Sequence, residues 1–131
     1  MKRIIILSIS LLLSVVGYAD SPFVSHVTIT TYNAVKEQTD DTPFITSDGT
    51  TISNKALLNG TQRIVAISRN LLYAIPLGSL IEIEGYGIYE VRDTMNKRYN
   101  HCIDILQHPS KKNFKKTNVK IRLLRKGKKY T

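Results

Sequence analysis

QRIVAISRNLLYAIPLGSLIEIEGYGIYEVRDTMNKRYNHCIDIL, residues Gln62 to Leu106, decides the fold. Gly, Pro and Asn divide it into short apolar runs. Ser79 to Glu84 alternates, with Ile81 and Ile83 on one face and Glu82 and Glu84 on the other. Gly85-Tyr86-Gly87 then reads as a hairpin turn, because glycine takes the positive φ that tight turns need. On the return strand the period of two sets Asp93 on the face of Tyr89 and Val91. Asp104 shares a face with Cys102 and Leu106, and Ile103 and Ile105 fill the other. An acid on an apolar face loses water, and its pKa rises unless a cation offsets the loss. An acid that keeps its proton near neutrality can serve as a general acid. The bland reading of either Asp is a strand-end residue that caps a turn or pairs with Lys97 or Arg98.

Outward from this stretch the same pattern recurs. Ser25 to Tyr32 alternates and is rich in Thr and Val, so it is expected as a strand. Asn118 to Leu124 alternates as the last strand, with Val119, Ile121 and Leu123 inward. Ile64 to Ile67 is a short apolar strand. Asn33 to Thr51 reads as a long polar loop, Lys55 to Leu58 as a brief helix, and Ser110 to Lys116 as a short capped helix. Ser68 is expected to cap one turn, which Pro76 ends. Six short strands with one or two short helices predict a mostly-β fold, a small closed barrel, which also removes exposed strand edges.

Residues 1–19 have the pattern of a secretory signal: Lys2 and Arg3, then an apolar run to Val16, then Gly17-Tyr18-Ala19 before a cut. The run is shorter than the roughly 20 residues of a membrane span. No integral span is therefore expected in the mature chain, and a secreted protein of the periplasm or cell envelope is. Of the 19 basic residues two lie in this leader, leaving 17 against 10 acidic ones, a net charge of +7. No acid follows Asp104, and ten Lys and Arg residues do. That end suits anionic envelope polymers, and export argues against nucleic acid; the bland reading, a solvated helix face and a loose tail, stands beside it. The expected division is a leader over 1–19, a domain over 20–124 and a basic tail over 125–131.

Cys102 is the one cysteine, so an internal disulfide is excluded. His101 is its neighbour, but adjacent strand residues point to opposite faces, so the pair is no thiol–base couple. His26, His101 and His108 lack metal-ligand spacing, and Asp40, Asp41 and Asp48 do not form an EF-hand. No cofactor or metal is expected.

Several segments together resemble the three-aspartate (3D) domain, a double-psi β-barrel of cell-wall proteins shared with lytic transglycosylase A, rare lipoprotein A and expansins. Val27-Thr-Ile-Thr-Thr-Tyr32-Asn is similar to its opening strand and Ile45-Thr46-Ser47-Asp48-Gly49-Thr50 to its T-A-S/T-G-T loop. Arg63-Ile-Val-Ala66 with Ile75-Pro76-Leu77-Gly78 resembles V-V-A-x-D…I-P-L-G. Glu84-Gly85-Tyr86-Gly87 resembles P-G-Y-G, Asp93-Thr94 resembles D-T-G-G, and Ile103-Asp104-Ile105 resembles R-I-D-L. The likeness covers Val27 to Leu124. It departs where the first Asp belongs, since Ser68 or Asn70 holds that place. Met95-Asn96 replaces the glycine pair.

The resemblance implies a six-stranded double-psi barrel and lytic transglycosylase-like cleavage of peptidoglycan. Asp104 would then be the acid/base, and Asp93 would hold or polarise it. Tyr32, Thr46 and Thr94 would line the groove, with Lys97 or Arg98 near the substrate. The alternative is a wall-binding or accessory module of the expansin type, without hydrolysis.

Overall fold

The computed structural model describes residues 23–33 and 44–128. The expected leader and Asp40 and Asp41 lie outside them.

Six strands close into a barrel. They are β1 (Val24–Asn33), β4 (Ile64–Ile67), β5 (Leu80–Ile83), β6 (Gly87–Thr94), β7 (Cys102–Gln107) and β8 (Lys115–Arg125). A two-stranded sheet stands apart, made of β2 (Phe44–Ile45) and β3 (Thr51–Ile52). The barrel order is β1-β7-β4-β6-β5-β8. Two pairings are parallel, β1 with β7 and β4 with β6; the rest are antiparallel. This closed, mixed, six-stranded architecture is mostly β and compatible with a double-psi barrel. Among the described residues no helix is long and apolar enough to cross a membrane.

The alternating runs become strands because every second residue enters one core. Val27, Ile29, Val65, Ile67, Ile81, Ile83, Val91, Ile103, Ile105, Val119 and Ile121 fill the interior. β-branched side chains dominate it, as they pack well on a pleated surface. The expected hairpin forms between β5 and β6, with Gly85 at φ 87° and Gly87 at φ 103°.

The helix near Lys55 is α1 (Asn54–Asn59). The Ser53 hydroxyl caps it, accepting from Ala56 N at 3.2 Å. Three local expectations change. The stretch expected as one polar loop holds β2 and the start of β3. No helix follows Ser110: the chain makes a single turn, closed by Lys111 N donating to His108 O, the side chains of Thr31 and Asn33 hold the segment beside β1, and β8 starts at Lys115. A short 3-10 turn (Arg69–Leu71) follows Ser68, but the Ser68 hydroxyl does not cap it. It accepts instead from Cys102 N at 3.0 Å, tying the end of β4 to the start of β7.

A second apolar cluster lies on the outer face of the barrel. Ile52, Ile64 and Leu106 form it, with Tyr32, Phe44 and Leu57 packed against them. The segment from β2 to α1 therefore covers one outer wall of β1, β7 and β4, and positions a polar turn beside that wall.

Candidate functional site

Ala66 sits between the two aspartates. In β4 it pairs with Asp93 of β6 on one side and with Asp104 of β7 on the other. Directly paired residues share a sheet face, so both carboxylates leave from the face of Ala66. With neighbouring strands about 4.8 Å apart, the two Asp Cα atoms stand roughly 10 Å apart across it. Ala66 is buried, and its small side chain lets the Tyr32 side chain of β1 reach across to Asp93 of β6.

Asp93 reaches this face through a β-bulge. Val65 pairs with Val91 and the next β4 residue, Ala66, pairs with Asp93, so Arg92 is the extra residue on β6. Simple alternation sets Asp93 on the face of Val91, which lies in the core. The extra residue turns it to the opposite face, as bulges do. Asp104 needs no such device and points away from Ile103 and Ile105 as alternation requires.

The two carboxylates are held very differently. Asp93 Oδ1 accepts from Ser47 N at 2.9 Å, the Ser47 hydroxyl at 2.5 Å and Thr94 N at 3.0 Å. Its Oδ2 accepts from the Tyr32 hydroxyl at 3.2 Å. Asp104 accepts from the Thr30 hydroxyl at 2.7 Å. Burial raises the pKa of Asp104; the Thr30 bond offsets part of this, and the negative charge of Asp93 adds to it. Burial, then the charge and hydrogen bond of Asp93, and lastly the charge of Asp104 push the Tyr32 phenol far above its ordinary range. Tyr32 is therefore a permanent donor facing both acids.

The turn that supplies Ser47 is itself anchored to the bulge. Asp48 N donates to Arg92 O at 3.3 Å, and Arg92 Nη1 pairs with Asp48 Oδ2 at 3.2 Å. The hydroxyls of Thr46 and Thr50 donate to Asp48 Oδ1 at 2.7 and 2.6 Å. Burial pushes Asp48 upward, but the donors from Thr50, Thr46 and Arg92 outweigh it, and its pKa is lowered. Thr46 thus shapes the turn and does not touch either site carboxylate. The Thr94 hydroxyl lies 3.1 Å from that of Ser47.

Lys97 and Arg98 stand on the exposed turn after β6. Arg98 lies over the Tyr99 ring at 4.7 Å and donates to its hydroxyl at 2.7 Å. Among the described residues neither cation pairs with Asp93 or Asp104. Ser68 is spent on β7, and Asn70 on His101, whose Nδ1 is 2.9 Å from the amide nitrogen. Neither replaces a third carboxylate at the site.

Thr30, Ser47, Ala66 and Arg92 were not legible as site residues. Alternation with Tyr32 is a signal for Thr30, and the place of Ser47 inside T-S-D-G-T is one for that residue. No local signal marks Arg92.

Two concavities lie elsewhere. One of about 330 Å³ is lined by Glu82, Glu84, Lys120 and Arg122, and one of about 280 Å³ by Arg63, Tyr89, Leu106 and His108 among others. In the first, Arg122 already pairs with Glu82 at 2.7 Å. In the second, Arg63 is committed to the carbonyls of Tyr86 and Ile88. The reactive asymmetry belongs to the aspartates. Among the described residues no group of three or more His, Cys, Asp or Glu is arranged to hold a metal. A scan of protein-family models finds no match to this chain, and a search of curated proteins finds none.

Proposed function

We propose that the chain cleaves the glycan of the cell wall in the manner of a lytic transglycosylase, with Asp104 as the acid/base. One observation carries this reading: two aspartates flank Ala66, one saturated by four donors and the other held by a single hydroxyl in a setting that favours its proton. Such a pair divides labour, because environment sets which carboxyl keeps its proton. Protonated Asp104 gives its proton to the glycosidic oxygen as the bond to the sugar's anomeric carbon breaks. The negative charge on Asp93 favours the positive charge that develops on the sugar. Asp104, now a carboxylate, takes the proton of a hydroxyl on the same sugar as that oxygen closes the anhydro ring. Proton and bond counts balance without added water, so one acid/base suffices where hydrolases ordinarily use two carboxylates.

The substrate of this reading is peptidoglycan, and the setting is the envelope, with residues 1–19 as the export signal. Purified peptidoglycan incubated with the protein should release anhydro-muropeptides detectable by mass spectrometry. Asp104→Asn should lower the rate about 100-fold or more.

A second reading is a non-catalytic wall-binding module of the expansin type. The use of Ser68 and Asn70 in strand and loop contacts, where the resembling family has its first Asp, favours it. Peptidoglycan that is bound but never cleaved would establish this second reading.

A further inference from the structure

The row of paired residues does not stop at Asp104. Thr30 of β1 pairs with Asp104 on one side and with Lys115 of β8 on the other. Lys115, Thr30, Asp104, Ala66 and Asp93 therefore form one line across five strands, on one outer face. Lys115 and Asp104 are two strand spacings apart, roughly 10 Å between Cα atoms.

Lys115 is exposed and, among the described residues, makes no ion pair; those present use Arg92 and Arg122. Its backbone position is fixed. The Thr31 hydroxyl donates to Asn113 Oδ1 at 3.1 Å and accepts from Phe114 N at 3.0 Å. Asn33 Nδ2 donates to His108 O at 3.1 Å and Lys111 O at 3.4 Å. The segment that delivers Lys115 is thus laced to β1, the strand that also supplies Thr30 and Tyr32.

The line has a polarity: an acid at the β6 end and a cation at the β8 end. A glycan lying along it with a carboxylate on one sugar would be repelled at Asp93 and attracted at Lys115. We infer that Lys115 is an anion subsite of this face, taking a carboxylate borne by the glycan and setting which way round the strand lies. The inference rests on the glycan reading above, and it adds to Lys97 and Arg98 a cation that meets substrate at the β8 end of the line.

Calorimetric binding tests it, using Asp104→Asn protein so that nothing is turned over. The probes are amidase-stripped peptidoglycan strands, which carry lactyl carboxylates, and neutral N-acetylglucosamine oligomers of equal length. The carboxylate strand should bind about tenfold more tightly at low salt, a difference of about 1.4 kcal/mol. Adding Lys115→Gln should erase that preference, and Lys115→Arg should keep it. Lys126→Gln, which removes the same charge beyond the far end of β8, should also keep it. Equal affinity for the two probes, a preference that survives Lys115→Gln, or one erased equally by Lys126→Gln overturns the subsite. A Lys115-dependent preference in a protein whose wild type releases no anhydro products upholds the subsite and removes the cleavage reading. Anhydro products without the preference do the reverse, and binding of neither probe overturns both.

Discussion

Burial and the charge of Asp93 give Asp104 a higher pKa in the folded chain than in the unfolded one. Between those two values the folded state holds more protons, so stability falls as pH rises through that window. Asp104→Asn removes the cost of the buried charge. Thermal melts should show the variant above wild type at pH 7, with the gap closing as pH falls toward the free aspartate value of about 3.9. Asp48 has the opposite sign. Its donors lower its pKa despite burial, so it contributes stability above the unfolded value, and that contribution is lost as pH falls through the folded one. Asp48→Asn should lower the melting temperature at pH 7 and have a shrinking effect in acid. Parallel slopes for the two variants would contradict this assignment.

At the scale of elements, the bulge in β6 and the turn between β2 and β3 act as one unit. The bulge presents Asp93, and the turn brings Ser47 over it while Arg92 locks the two together through Asp48. Ser47→Ala removes one hydroxyl donor and leaves the backbone donor. A bond to a charged acceptor contributes about 1.5–3 kcal/mol, so cleavage should fall roughly 10- to 100-fold if Asp93 must be fixed, with circular dichroism unchanged. Ala66→Val tests the space between the acids. The added methyls crowd a buried position, costing about 1–3 kcal/mol in a denaturant melt, and should abolish glycan binding in protein that remains folded. Normal binding by Ala66→Val would place the glycan elsewhere.

For the whole molecule, the basic end is part of the barrel before it is a tail. Arg125 pairs with Leu80, and Gly127 N donates to the buried Ser79 hydroxyl at 2.9 Å. A Cβ at Gly127 would lie 2.3 Å from Leu77 O and 2.4 Å from Ser79 N, so only glycine allows this approach. Gly127→Ala and truncation after Leu124 should both lower the melting temperature. Adhesion to anionic wall material should weaken as salt is raised, since screening shortens charge interactions to about 8 Å at physiological ionic strength. A co-sedimentation assay insensitive to salt would count the lysines as solvated surface.

The six strands, the hairpin at Gly85–Gly87 and the face of Asp104 were all determined by the sequence alone. Each follows from a period of two or from a glycine at a turn, and both are local properties of a few neighbouring residues. Asp93 was legible as a candidate, but its face was not, because alternation assumes an unbroken strand. Whether Arg92 bulges depends on β4 beside it. Only the tertiary structure decided the company the aspartates keep: Thr30 is 74 residues from Asp104, and Ser47 is 46 from Asp93. The line from Lys115 to Asp93 is likewise a matter of register between strands distant in sequence. Register is set by which apolar faces enter the shared core, and no single strand carries that information.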